Sequence, residues 1–281
     1  MGLRLGIFIV PDGADPAATV ERIVAADRAN LDLVGVQDHP YQRRFLDTWT
    51  LLSYAAALTE RIRLVPDVVN LPLRLPSVLA KSAASLDLLS GGRVELGIGA
   101  GAFWDAVAAM GGPRRTPGES VDALTEAIAI MRASWSGERS VTVEGEHYRV
   151  SGAKPGPPPA HPIGLWVGAY GPRMLRLTGR LGDGWVPTLG EGYMKPQDAP
   201  AMHALVDEGA RRAGRDPAEI ERVVNVLALD GDPASWADRL SRIAVDLRFS
   251  TLIVALPDDD PLGAITRLGE EVAPRLRERS E

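Results

Sequence analysis

The chain has 281 residues with 29 glycines, 22 prolines and no cysteine, which excludes a disulfide framework, a cysteine-ligated zinc or iron–sulfur site and a thiol nucleophile. Its formal charge is −6, from 31 basic and 37 acidic side chains scattered along the whole length. That distribution lacks the basic face that a nucleic-acid or membrane-surface binder needs, so neither partner is expected.

The amino terminus, MGLRLGIFIVPDG, carries one basic residue and a short apolar run that stops at Pro11-Asp12. It does not read as a signal peptide, and no stretch approaches the roughly 18 apolar residues of a membrane span, so a cytoplasmic protein is expected. The run itself reads as a buried strand over 3–10. Asp15-Pro16 then places an N-cap before a proline at the first helical position and predicts a helix over 16–30. A strand over 33–37, a helix over 47–60, a strand over 62–69 and a helix over 76–90 follow, the last closed by Gly91-Gly92, where a left-handed cap belongs.

The fourth strand is expected over 93–100 and the next helix over 118–135, where Leu124, Ile128, Met131 and Trp135 share one face. Residues 138–150 alternate around Glu144-Gly145 and predict a small hairpin, followed by a stiff connector through Lys154-Pro155-Gly156-Pro157-Pro158-Pro159. The alternation then resumes: strands over 163–168, 183–187, 222–228 and 250–256, with helices over 171–181, 198–213, 233–246 and 260–278. Eight strands alternating with eight helices, the strands apolar on both faces, predict a (β/α)8 TIM barrel. The insertion hairpin near 138–150 stands outside it, and one domain covers 1–281. One miscounted element would give an open doubly wound sheet instead.

In such barrels the chemistry sits where strands end. The second strand ends in Gly35-Val36-Gln37-Asp38-His39, an acid and an imidazole that can act as an acid–base pair, or a capping aspartate beside an exposed histidine. The third ends at Asp67-Val68-Val69-Asn70. The fourth ends in Gly97-Ile98-Gly99-Ala100-Gly101-Ala102, whose glycines let a flat ring or phosphate approach the backbone. This run also meets the loose dinucleotide pattern G-x-G-x-x-A, but it follows the fourth strand and is trailed by Phe103-Trp104 instead of a helix start. The fifth ends in Gly168-Ala169-Tyr170-Gly171-Pro172-Arg173, a turn into a helix whose free N–H groups suit a phosphate. His147, His161 and His203 read as structural or solvated. No His/Asp/Glu spacing matches a metal site, and none is expected.

Together, Gly35 to His39, Leu64 to Asn70, Gly91 to Gly101, Gly168 to Pro172 and Gly182-Asp183-Gly184-Trp185 resemble the bacterial luciferase-like superfamily of flavin- and deazaflavin-dependent oxidoreductases. The likeness runs to about Trp185 and returns at Glu271 to Arg277. It implies a (β/α)8 barrel holding coenzyme F420, the preferred cofactor, or FMN. It implies cofactor contacts from Asp38 and His39, a non-proline cis peptide at Asp67-Val68 forming a bulge behind the ring, a cofactor loop at Gly99, Ala100 and Gly101, and a phosphate turn at Gly168, Ala169, Tyr170 and Gly171. His39 is the implied proton donor or base, a small organic molecule the substrate, and a homodimer the assembly. Members that oxidise sugar phosphates place a glutamate after the glycine run and a tryptophan soon after the histidine. Here Ala102 stands at the first position and Tyr41 to Arg44 supply no tryptophan, which counts against sugar-phosphate oxidation. An FMN-dependent monooxygenase, a flavin-binding barrel without turnover and a nicotinamide enzyme are the alternatives.

Overall fold

The computed structural model describes residues 2–229 and 231–278; Met1, Asp230 and 279–281, which the expected 1–281 domain includes, lie outside the described residues. Strands β1 (Arg4–Ile9), β2 (Leu33–Val36), β3 (Arg63–Pro66), β4 (Val69–Asn70) and β5 (Leu96–Gly99) come first. Between and after them run helices α1 (Pro16–Arg28), α2 (Thr48–Ala56), α3 (Pro76–Ser90), α4 (Trp104–Ala109) and α5 (Pro117–Trp135). The hairpin β6 (Val141–Glu144) and β7 (Arg149–Ala153) follows, then β8 (Leu165–Gly168), α6 (Pro172–Leu181), β9 (Gly184–Trp185), β10 (Thr188–Leu189), α7 (Ala199–Arg212), β11 (Glu221–Val226), α8 (Pro233–Asp246), β12 (Thr251–Ala255), α9 (Pro261–Arg267) and α10 (Ala273–Glu278).

The barrel strands pair in parallel in the order β3-β2-β1-β12-β11-β9-β8-β5-β4, with β10 beside β11. The expected third strand is present as two pieces, β3 and β4, separated by a cis peptide bond at Asp67-Val68. A parallel bridge between Leu64 and Val94 joins β3 to the start of the fourth strand, and β4 pairs with β5. The sheet therefore closes on itself, and the open doubly wound alternative falls. The expected sixth strand over 183–187 is present as the short β9, and β10 follows just beyond its expected end and pairs with β11.

Local signals explain most of the helix starts. Asp15, Asp47, Asp232 and Asp260 each accept a backbone N–H of the first turn at 2.8–3.0 Å, and Thr116 with Glu119 forms a capping box before α5. Gly91 closes α3 at φ +71°, a conformation that costs glycine little. The expected last helix is divided by a π turn over Leu268–Val272. The hairpin extends to Ala153, three residues beyond its expected end, and hangs from α5, where the Glu126 carboxylate accepts the N–H groups of Glu146, His147 and Tyr148 at 2.8–2.9 Å.

Alternation along the strands sorts side chains between the bore and the helical shell. The bore is plugged by Leu33, Val65, Trp166, Val186, Val223 and Ile253, all buried. Below the plug, at the amino ends of the strands, Arg63 pairs with Glu95 at 2.7 Å and Arg4 pairs with Glu221. Above it, at the carboxyl ends, stand the residues singled out from the sequence.

Candidate active site

Asp38 follows β2 and is 1% exposed. Its Oδ2 accepts the Asn70 N–H at 3.0 Å, and the guanidinium of Arg74 grips both oxygens, from Nε at 3.2 Å and Nη2 at 3.0 Å. Arg74 also donates to Asp47 at 2.9 Å. The carboxylate is therefore spent on the loop after β4 instead of orienting the imidazole, which corrects the simple picture of an acid–histidine pair. Asp38 still acts on its neighbour through charge. Burial lowers the His39 pKa, and the Asp38 charge opposes that shift.

His39 is half-buried and belongs to an aromatic cluster at the mouth. Its ring stacks on Tyr41 with centroids 5.4 Å apart and meets Phe103 at 5.5 Å. Burial pushes the Tyr41 phenol up to about 12, so it remains a neutral hydroxyl beside Asn70. Phe103 sits at φ +55° and is 62% exposed. Contrary to the sequence reading, a helix does begin here: α4 starts at Trp104 and is held by the fully buried Val107. The left-handed residues Gly101 and Phe103 turn the chain sharply enough to start it.

The glycines of the fourth and fifth strands have a concrete neighbour. A Cβ added at Gly99 would stand 2.9 Å from the Val68 side chain, and one at Gly168 3.3 Å from it. Their missing side chains therefore make room for the Val68 bulge. At Gly101 (φ +105°) an added Cβ would meet Pro72 at 2.5 Å. Ala100 lies beside them, half-buried. Gly171 is different: nothing lies within 4 Å of its would-be Cβ, and it caps α6 without any side-chain partner. In the same turn Ala169 accepts from the Trp185 indole at 2.9 Å, and the Tyr170 hydroxyl accepts the Thr188 N–H at 2.9 Å.

His161 and His203 lie away from the mouth. His161 Nδ1 stands 2.9 Å from Asp87. His203 is buried, on the inner face of α7 and not on a solvated one, edge-on to Trp185 and within 2.8 Å of the Leu247 carbonyl. Asp183, of the Gly182-to-Trp185 turn, receives Arg132 on both oxygens at 2.8 Å and the Leu165 N–H at 2.9 Å, at the opposite end of the barrel. Among the described residues, no group of three His, Asp or Glu side chains is arranged to hold a metal ion.

Sequence reasoning missed Arg74 and Asn225. Arg74 lies beyond the strand end in a loop of low information. Asn225 did leave a signal, as the one polar side chain in the run Val223-Val224-Asn225-Val226 of β11.

Among the described residues, three buried side-chain oxygens at this end of the barrel lack a partner: Asp67 Oδ2, Asn70 Oδ1 and Asn225 Oδ1. With the apolar Val68 bulge and the helix start at Gly171 that no side chain caps, they fit a flat ring with polar edges and a phosphorylated tail.

Comparison with known proteins shows the family of the chain. A family model described as luciferase-like monooxygenase matches residues 3–262. An F420-dependent glucose-6-phosphate dehydrogenase of Intrasporangium calvum is 32% identical over 98% of this chain and 99% of that protein. Its counterpart from Beutenbergia cavernae is 31% identical over 99% and 98%. Among solved structures, an F420-dependent secondary alcohol dehydrogenase bound to an F420–acetone adduct superposes with a TM-score of 0.87 at 19% identity, covering 99% of this chain and all (100%) of that one. The tetrahydromethanopterin reductase of Methanopyrus kandleri gives 0.82 at 20%, over 98% and 100%.

Proposed function

The chain belongs to the luciferase-like monooxygenase family, and from that premise we propose that it is a coenzyme F420-dependent oxidoreductase of one domain, acting on a small organic alcohol or carbonyl compound. The observation that carries this reading is the 32% identity running end to end with an F420-dependent dehydrogenase, set on a mouth that holds one half-buried histidine among aromatic rings. When bound, the deazaflavin supplies hydride transfer at its central ring carbon.

The protein's own residues do the rest. Val68 would support the ring, Gly99, Ala100 and Gly101 would let it approach the backbone, and the turn Gly168, Ala169, Tyr170 and Gly171 at the start of α6 would receive the phosphate. Asp38 contributes through Arg74 and Asn70 by fixing the loop on which the site is built. His39 takes the hydroxyl proton of an alcohol, or returns one to the oxygen of a carbonyl. Its lowered pKa keeps the imidazole neutral, hence a base, at neutral pH. Phe103 and Tyr41 cover the imidazole and exclude water.

The substrate is uncharged in this reading. Four arginines near the mouth are already paired, Arg44 with Asp12 at 2.6 Å, Arg74 with Asp38 and Asp47, Arg114 with Asp105, and Arg173 with Asp122 at 2.5 Å, whereas Arg43 is exposed beside Arg44. The reading rests on Ala102, which stands where sugar-phosphate-oxidising members place a glutamate, and this favours simple alcohols over sugar phosphates. A homodimer is supported by the apolar side chains exposed in and beside α2 and α3, namely Tyr54, Leu58, Leu75, Val78 and Leu89. No helix among the described residues is long and apolar enough to cross a membrane, and a cytoplasmic location accords with that.

Titrating the purified protein with coenzyme F420 and with FMN, then following reduction of the oxidised deazaflavin with a panel of secondary alcohols, tests the proposal. Binding of F420 with turnover of an alcohol is expected. Tight FMN binding with none of F420 would replace it with the monooxygenase reading. Binding without turnover of any alcohol or ketone would favour a barrel that only carries the ring.

A further inference from the structure

Two of the unpartnered oxygens belong to one pair that no step above uses. Asn225 Nδ2 donates to Asp67 Oδ1 at 3.2 Å, and Asp67 and Asn225 are 6% and 5% exposed. In the strand order, β3 and β11 are four places apart, on opposite walls of the barrel, so this single bond spans the bore. Val65 and Val223, two residues earlier on the same strands, lie in the apolar plug. The pair is thus the next layer up, and its free side is the mouth. Gly35 clears the space: a Cβ there would stand 2.8 Å from Asp67 Oδ2. Each member keeps one buried oxygen without a partner, an unfavourable arrangement that a ligand relieves.

We propose that Asp67 and Asn225 form the polar floor of the cofactor pocket, where a protonated Asp67 carboxyl donates a hydrogen bond to a ring carbonyl and Asn225 Oδ1 accepts one from the adjacent ring N–H. The inference rests on the cofactor reading above. A donor beside an acceptor is complementary to an imide-type edge, a carbonyl next to an N–H, which flavin and deazaflavin rings both carry. An ionised Asp67 has only acceptors and would repel that carbonyl.

The surroundings favour the acid form. Burial pushes Asp67 up to about 7, against the Asn225 hydrogen bond, and no cation among the described residues opposes it. The packed neighbours are Gly35 on β2, Val68, Asn225 on β11 and Ile253 on β12. The titratable group facing it is Tyr170 from the loop after β8, a phenol whose pKa is raised chiefly by burial. Asp38, on the neighbouring strand end, is neutralised by Arg74.

The test is the dissociation constant of oxidised coenzyme F420, with FMN as second probe, from about pH 5.5 to about pH 8.5, for wild type, Asp67→Asn and Asn225→Leu. Asparagine keeps a donor at every pH. Above the Asp67 ionisation, the wild-type Kd therefore rises about tenfold per pH unit relative to Asp67→Asn, and Asn225→Leu weakens binding at every pH. Parallel pH profiles for wild type and Asp67→Asn overturn the inference while leaving the cofactor reading intact. Failure of the wild type to bind either probe removes the cofactor reading and this inference with it. Infrared difference spectra of the wild type with and without cofactor give an answer even if a variant does not fold. A protonated-carboxyl stretch that shifts on binding is expected, and its absence overturns the proposal.

Discussion

The ion pair of Asp38 and Arg74 makes a prediction that couples stability to the proposed chemistry. Asp38 is 1% exposed, and in Arg74→Met it loses both guanidinium contacts, at 3.0 and 3.2 Å, keeping only the Asn70 N–H. Breaking a buried pair from one side leaves an uncompensated charge and costs about 3–5 kcal/mol. Arg74 itself is 21% exposed and partly hydrated, so the lower end, about 3 kcal/mol, is expected from urea unfolding at neutral pH. The double variant Asp38→Asn/Arg74→Met removes the charge as well and should recover at least about half of that loss. A second readout lies in the pH profile of alcohol oxidation. With Arg74 gone, the Asp38 charge acts on His39 unopposed, raises its pKa, and moves the acid limb of activity to higher pH. A loss under about 1 kcal/mol, or a double variant no more stable than Arg74→Met, would refute the buried-pair argument. An unmoved acid limb would refute the electrostatic link to His39.

His39→Ala should lower kcat by about 10²–10⁴-fold while leaving the dissociation constant of coenzyme F420 nearly unchanged; equal turnover would remove its role as base. In wild type, alcohol oxidation falls as pH drops through the lowered His39 pKa, because the protonated imidazole cannot accept a proton. The pH dependence of stability contains a separate contribution from His203, whose burial among Trp185 and Phe249 lowers its pKa from 6.5 to about 4. Between those values the unfolded chain binds the proton and the folded one does not. Stability therefore falls on acidification by about 3 kcal/mol from this group, and His203→Leu should flatten that part of the curve in unfolding titrations. Gly179→Ala would drive a methyl into the backbone carbonyl of Val206, where α6 meets α7. A loss of about 3 kcal/mol or more is expected, measured as the urea midpoint, and an unchanged midpoint would mean the two helices separate freely.

The strands and helices were readable because the barrel imposes a strong period on the chain: apolar runs such as Leu5 to Val10 and capped stretches such as Asp15-Pro16 each carry their own local reason. What escaped the reading depends on partners distant in sequence. Whether Asp38 turns to His39 or to Arg74 is decided by a loop 36 residues away, and no spacing rule encodes that choice. The glycines were readable as backbone-approach sites, but their immediate neighbour is Val68, because only the folded barrel brings the third strand's bulge against the fourth and fifth strands.

Asn225 shows where the limit falls. Its polarity inside an apolar strand is a signal that the sequence reading passed over, and its partner is Asp67, 158 positions away on the opposite wall. Parallel strands make such meetings common, since every inward position faces residues from strands far apart in the chain. A polar residue at the top layer of a barrel strand is thus a better pointer to a site than any short motif here. The glycine-rich run drew attention by pattern and turned out to be shaped first by packing. The asparagine drew none, yet among the described residues it sits in a layer of the bore where a carboxyl and a carboxamide hold unspent oxygens together.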